Sequence, residues 1–216
     1  NESQFQAGEY ELMKSMTLDE LIESLKTGTV YREPVFTVTY NEGWTLEQIA
    51  ARVAEKTPHT AEEFLAKVND PTYIQELAAK FPTLINPDEM LAENVKYPLE
   101  GYLYPATYPY FEENPPLTLI IEQMIEETNK YVVQYQEAIK ANKWINTPHK
   151  FLTFSSLLEK EATGTTDRAT IASVFFNRLA EPMPLQTDPT VLYALGEHKD
   201  RVLYKDLEVQ DPYNTY

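Results

Sequence analysis

Residues 97–110 read YPLEGYLYPATYPY. Prolines at 98, 105 and 109 share this run with five tyrosines. A proline fixes φ and lacks the backbone N–H, so a run this dense excludes a helix interior and a central strand. The segment therefore interrupts whatever regular structure flanks it. Its tyrosines admit two readings. They are packing residues of a connector, or they supply the aromatic faces and hydroxyl tips that a sugar-binding groove uses.

Upstream, two stretches share a phrase. MTLDELIESLKTGT starts at Met16 and WTLEQIAARVAEKT at Trp44, an offset of 28 residues. Thr17 and Thr45 are expected N-caps, and Glu20 and Gln48 three residues on complete two capping boxes. Leu18, Leu21, Ile22 and Leu25 share one helical face, as do Leu46, Ile49, Ala50 and Val53. Between the two helices, PVFTVTY alternates and is β-branched, which predicts a strand. Asn41–Gly43 predicts a turn, and TAEEFLAKV a short helix capped at Thr60. From Asp70 to Asn94 the chain reads as helical but weakly patterned, with Pro82 and Pro87 as punctuation. This stretch is the expected domain boundary.

Downstream, PLTLIIEQMIEETNKYVVQYQEAIKAN (116–142) predicts one long amphipathic helix. Leu117, Ile120, Ile121, Met124, Ile125 and Tyr131 form its apolar stripe, and Glu126 and Glu127 its solvated face. A helix is also expected over 165–179. Asp167 or Thr166 would cap it, and Ile171, Val174, Phe175 and Leu179 would face inward.

Between those helices stands FLTFSSLLEKEATG (151–164). Glu159 follows directly on Phe151, Leu152, Phe154, Leu157 and Leu158. A carboxylate beside that much hydrocarbon is costly unless paired or protonated. Ser155, Ser156 and Ala162 are its helical neighbours, and no Lys or Arg stands at i±3 or i±4. Two readings follow: an exposed helix residue, or an acid kept protonated by desolvation and suited to general acid catalysis. Glu161 lies about 200° around the helix and does not share its face.

The charge balance narrows the partners. Asp and Glu number 34 against 18 Lys and Arg, a net charge of -16. That argues against nucleic acid, which needs a basic patch, and against docking on anionic headgroups. There is no cysteine, which removes disulfides and thiolate chemistry. The three histidines, His59, His149 and His198, lack metal-ligand spacing, so no metal and no cofactor are expected. No apolar run approaches the ~20 residues of a transmembrane helix. The sequence opens at Asn1 without a methionine, which leaves room for a preceding N-terminal anchor.

Two resemblances sharpen these readings. Strand, turn, GWTLEQIAARV, loop and TAEEFLAKV together resemble a LysM domain, carried by Gly43, Trp44, Thr45, Leu46, Ile49 and Ala50. This implies a small two-helix module over about 34–69, of a family that binds N-acetylglucosamine polymers. A capped amphipathic helix explains the same residues. Further on, LEGYLYPATY, EKE, VFFNRL, LQTDPTVLY and YNTY occur in that order over residues 97–216. They closely resemble the YceG-like family of endolytic murein transglycosylases.

The resemblance implies a membrane-anchored bacterial lyase that cuts nascent peptidoglycan strands, with the first acid of the EKE phrase, Glu159, as catalyst. It implies an extracytoplasmic location at the cell membrane, an N-terminal transmembrane anchor, cell-wall synthases as partners, and a catalytic domain that runs on past Tyr216.

The fold class expected is α+β. A small LysM-like α/β region over 1–90 precedes a mainly helical catalytic domain with minor sheet over 91–216. Candidate substrate-binding residues are Glu100, Tyr102, Tyr104, Gln186, Asp188, Asn214 and Tyr216, with Tyr108 beside them. Gln186 and Asn214 are expected to orient or donate to the substrate. Asp188 is either the cap of a Thr190–Leu195 helix or a second carboxylate. Asn214 and Tyr216 either reach the site or belong to a tail. Arg178 is expected in a structural ion pair. The rival functions are a non-catalytic peptidoglycan-binding scaffold, which would not need Glu159, and a muramidase-type hydrolase, which would need Asp188.

Overall fold

A computed structural model describes residues 5–8, 10, 12, 16–28, 33–162, 167–196 and 201–216. Its elements run α1 (Leu18–Thr27), β1 (Phe36–Thr39), α2 (Leu46–Lys56), α3 (Ala61–Val68), α4 (Pro71–Lys80) and α5 (Pro87–Met90). Then follow β2 (Thr107–Tyr110), α6 (Leu117–Ala141), α7 (Pro148–Glu161), α8 (Arg168–Ala180) and α9 (Asp188–Leu195), with a 3-10 turn over Tyr204–Glu208. Over the described residues the chain is mostly helical with one two-stranded sheet, an α+β arrangement.

The helix starts follow local chemistry. Thr17, Thr45 and Thr60 each accept from the backbone N–H three residues on, and Glu20, Gln48 and Glu63 reach back to complete capping boxes. A second device opens α4, α5 and α7. A capping side chain, Asp70, Asn86 or Thr147, is followed directly by a proline whose fixed φ suits the first helical position. The cap of α8 is Asp167; Thr166, the alternative, and His198 lie outside the described residues.

The sheet revises the reading of the proline-tyrosine run. β1 pairs antiparallel with β2, from Phe36 opposite Tyr110 to Thr39 opposite Thr107. The partner of β1 therefore comes from beyond α4 and α5. Proline is tolerated because both strands of a two-stranded sheet are edges. The Tyr40 N–H bonds the Ala106 carbonyl. Antiparallel pairs alternate in type, so Pro109, opposite Thr37, falls at a position that needs no donor. Tyr108 and Tyr110 alternate inward and are buried, while Thr107 and Pro109 face out.

One hydrophobic cluster joins β1, α2, α3, α4, β2 and α6, and Phe151 and Leu152 of α7 pack against it. On its other side α7 stacks Phe154 on Phe176 at 4.7 Å and edge-on to Phe175 at 6.0 Å. Thus α7 is held between the main core and the α8 layer, which fixes the direction of its last turn. Three apolar positions differ from expectation. Tyr131 and Val174 are exposed, each at 46%. On the apolar face of α1, Leu18 is 72% exposed, Leu21, Ile22 and Leu25 are half-buried, and no residue of the helix is fully buried. Among the described residues no helix is long and apolar enough to cross a membrane.

Candidate active site

The last turn of α7 carries Glu159, Lys160 and Glu161. Successive helical side chains point about 100° apart, so three neighbours in sequence face three directions. Each finds a different partner. Arg168 Nη2, at the start of α8, lies 3.2 Å from Glu159 Oε2. Lys160 Nζ donates to the Gly43 carbonyl at 2.7 Å. Glu161 Oε1 accepts from the Thr187 hydroxyl.

Glu159 is not desolvated as its apolar neighbours suggested. Its side chain is 41% exposed and Arg168 stands beside it. The helix turns this residue away from Phe154, and the cation arrives from the next helix, beyond the reach of helical-neighbour reasoning. Carboxylates are disfavoured at a helix C-terminus, where the macrodipole is negative. Arg168 and the Thr187 hydroxyl offset that cost. Gly43 forms the opposite wall: a Cβ placed on it would lie 3.9 Å from Glu159 Cγ. Its φ of +70° is the left-handed turn that glycine adopts freely.

The LQTDP loop and the chain end meet beside Glu161. The Gln186 N–H donates to the Thr215 carbonyl at 2.9 Å, and the Thr187 N–H to Thr215 Oγ1 at 3.1 Å. Thr190 Oγ1 lies 2.9 Å from Thr215 Oγ1. Thr187 is buried within this cluster. Tyr216 is held rather than free: its hydroxyl donates to Asp188, which keeps the phenol protonated with a pKa of about 12. Asp188 opens α9 from inside the helix and makes no cap; the cap position is Thr187. Gln186 sits at φ +50°, and its Oε1 accepts weakly from Arg178 Nη1 at 3.4 Å. The same guanidinium nitrogen donates to the Pro184 and Leu185 carbonyls, so among the described residues Arg178 clamps the loop through carbonyls and not through an ion pair.

Asn214 is a turn-holder. Its amide donates to Leu207 O at 2.9 Å and Val209 O at 2.8 Å, and its Oδ1 accepts from the Tyr216 N–H. Both donor bonds face its own segment and not a substrate. Glu100 lies behind the Gly43 turn. Its Oε1 accepts from the Leu46 N–H at 2.9 Å, and Tyr193 OH approaches Oε2 at 3.4 Å. Burial raises its pKa, and the two donors oppose that shift. Glu100 therefore holds the start of α2 in place.

The tyrosines separate by burial. Tyr102 is 1% exposed and bonds His149 Nδ1 at 3.0 Å, so it has no free face for a sugar. Tyr108 is buried and donates to the Tyr104 carbonyl. Tyr104 is half-buried and stacks on Tyr131 with centroids 4.9 Å apart. Of the tyrosines proposed for sugar contact in the proline-rich run, Tyr104 alone keeps that possibility. Arg168 and Thr215 were not singled out from sequence, and Tyr131 was read only as part of the apolar stripe of α6; the positive-φ demand at a Gly beside a capped helix was the one local signal pointing to the Gly43 wall.

The YceG-like family pattern matches residues 1–216. The chain belongs to the YceG-like family. It is 52% identical over 215 residues to a protein of Bacillus subtilis named endolytic murein transglycosylase. A Streptococcus pneumoniae protein of the same name is 39% identical over 229 residues. These alignments cover 99% and 100% of this chain, but the chain spans only 58% and 41% of those relatives. A crystal structure of a YceG-like protein from Listeria monocytogenes superposes with a TM-score of 0.80 at 43% identity. It covers 99% of this chain and 69% of that one.

Proposed function

We propose that this YceG-like chain carries the catalytic acid of an endolytic peptidoglycan lytic transglycosylase. One observation carries the reading. Glu159 presents a carboxylate that is 41% exposed at the end of α7 and is paired, among the described residues, only by the exposed Arg168, while the neighbouring acids Glu161 and Asp188 are each engaged by a hydroxyl, of Thr187 and Tyr216. A glycoside hydrolase commonly sets two carboxylates across the scissile bond. A lyase can work with one acid, because the substrate supplies its own nucleophile. The names of the B. subtilis and S. pneumoniae relatives support the same reading.

The chemistry balances on one residue. Glu159 gives its proton to the oxygen bridging MurNAc C1 and GlcNAc C4, and the C1–O bond breaks. The C6 hydroxyl of the same MurNAc closes on C1 and returns its proton to Glu159. The product ends in 1,6-anhydroMurNAc and no water is consumed. Arg168 stands where negative charge develops as the proton leaves.

The wider account is part of the same proposal. A division near residue 90 in the sequence, bridged by the β1–β2 pairing and one hydrophobic cluster, sets a LysM-like region over 34–69 before the catalytic part. The enzyme works at the extracytoplasmic membrane face, anchored by an N-terminal helix, next to cell-wall synthases. Strand cleavage there would terminate elongation. The hydrolase alternative has less support, since Asp188 is committed to Tyr216. The test is Glu159→Gln in the full-length protein. Loss of turnover by a factor on the order of 10²–10⁴ is expected; near-normal turnover contradicts the assignment.

A further inference from the structure

We infer that Lys160 is a positioning residue for Glu159, tying the catalytic helix to the Gly43 turn of the N-terminal region. The inference rests on the reading of Glu159 as the acid. Lys160 is flanked in sequence by two carboxylates, yet among the described residues its ammonium forms an ion pair with neither. It reaches instead to a neutral carbonyl 117 residues away, at 2.7 Å.

That carbonyl is a fixed point. The turn ending at Gly43 runs directly into α2, whose start is held by the Thr45–Gln48 capping box. The Leu46 N–H is bound in addition by Glu100, from the proline-rich segment. Gly43 also approaches Glu159 itself: a Cβ there would lie 3.8 Å from Lys160 Nζ and 3.9 Å from Glu159 Cγ. Hence the wall facing the acid and the anchor of the next residue are one peptide unit.

The geometry explains why such an anchor is useful. Glu159 stands in the last turn of α7, and the helix ends at Glu161. A final turn is held by few intrahelical bonds and can unwind or rotate. Glu161 pins it to Thr187 on one side, and Lys160 pins it to Gly43 on another. A misplacement near 1 Å at a reacting group can lower turnover by about 10²-fold. Lys160 is exposed and its ammonium is taken up by the Gly43 carbonyl, so it acts through Glu159. The N-terminal region then contributes to turnover, beyond any role in holding glycan.

The experiment measures kcat, KM and Tm of the full-length protein on purified uncrosslinked glycan strands. Wild type is compared with Glu159→Gln, Lys160→Met, Lys160→Gln and Lys160→Arg. Methionine lacks the donor, and glutamine is too short to span to Gly43. Both should lower kcat by about 10- to 10²-fold with KM and Tm nearly unchanged. Arginine, which keeps charge and reach, should restore most of kcat. Wild-type kcat in the Met and Gln variants overturns the inference. So does a fall in kcat that tracks a fall in Tm in both, or one confined to KM. An active Glu159→Gln protein defeats instead the reading of Glu159 itself; an inactive one beside fully active Lys160 variants defeats the Lys160 role alone.

Discussion

The Arg168 guanidinium lies 3.2 Å from the Glu159 carboxylate, nine residues away and on the next helix. Both side chains are well exposed, at 62% and 41%. Exposed pairs of this kind contribute roughly 0–1 kcal/mol. Arg168→Gln should therefore leave thermal unfolding almost unchanged. It should nonetheless lower kcat several-fold, because the carboxylate formed on proton release loses its cation. Unchanged kcat in steady-state assays would make the pair a surface contact only.

Glu100 gives a stability prediction with a definite sign. Burial raises its pKa above the ordinary carboxylate value of 4.5. The folded protein therefore binds the proton more tightly than the unfolded chain. The resulting stabilisation is fully present below about pH 4.5 and is lost as pH rises through the folded pKa. Glu100→Gln keeps an acceptor for the Leu46 N–H without the buried charge. The variant should melt higher than wild type at pH 7, and the difference should shrink towards pH 4. A variant less stable at every pH would show that the charged hydrogen bond outweighs desolvation.

The tyrosines should divide by burial. Tyr102→Phe removes the hydroxyl partner of His149 Nδ1 in a buried setting. A cost of roughly 1–3 kcal/mol is expected, with glycan binding unaffected. Tyr104→Ala, at the half-buried stacked pair with Tyr131, should weaken binding of glycan strands while Tm changes less. Calorimetric binding alongside melting curves separates the two; a Tyr104 variant that only melts lower is a packing mutant.

His149 supplies an acid-side check. Burial lowers its pKa, and Glu89 opposes that. The fold thus favours neutral imidazole, and the stability this contributes is present above the ordinary value near 6.5 and is lost as pH falls through the lowered one. His149→Asn should flatten the decline in Tm as pH falls below about 6.5. An unchanged slope would assign that decline to other groups.

Much of this was legible in the sequence where local chemistry decides. The long helix, read over 116–142, runs Leu117–Ala141, and the caps at Thr17, Thr45 and Thr60 form as the Thr-x-x-Glu/Gln spacing requires. What failed depended on partners distant in sequence. Periodicity marked Tyr131 and Val174 as apolar-face residues but could not say which neighbours would cover them. Proline density concealed β2, because a register that places Pro109 opposite Thr37 is set by tertiary pairing. At the site, helical spacing separated Glu159 from Glu161 correctly. It could not reveal Arg168, Gly43 or Thr187, which converge only when α2, α8 and α9 surround α7.

The central claim is that one acid, Glu159, cleaves the strand with the substrate's own C6 hydroxyl as nucleophile. Digestion of purified glycan strands by the full-length protein in oxygen-18 water tests it most directly. A retaining hydrolase wants a partner carboxylate at about 5 Å and an inverting one at roughly 6.5–9.5 Å, and either would admit water to C1. Mass spectrometry should find unlabelled 1,6-anhydroMurNAc ends, lighter by one water than reducing ends. Labelled reducing-end MurNAc as the main product would contradict the account and free Asp188 from Tyr216 to act as catalyst.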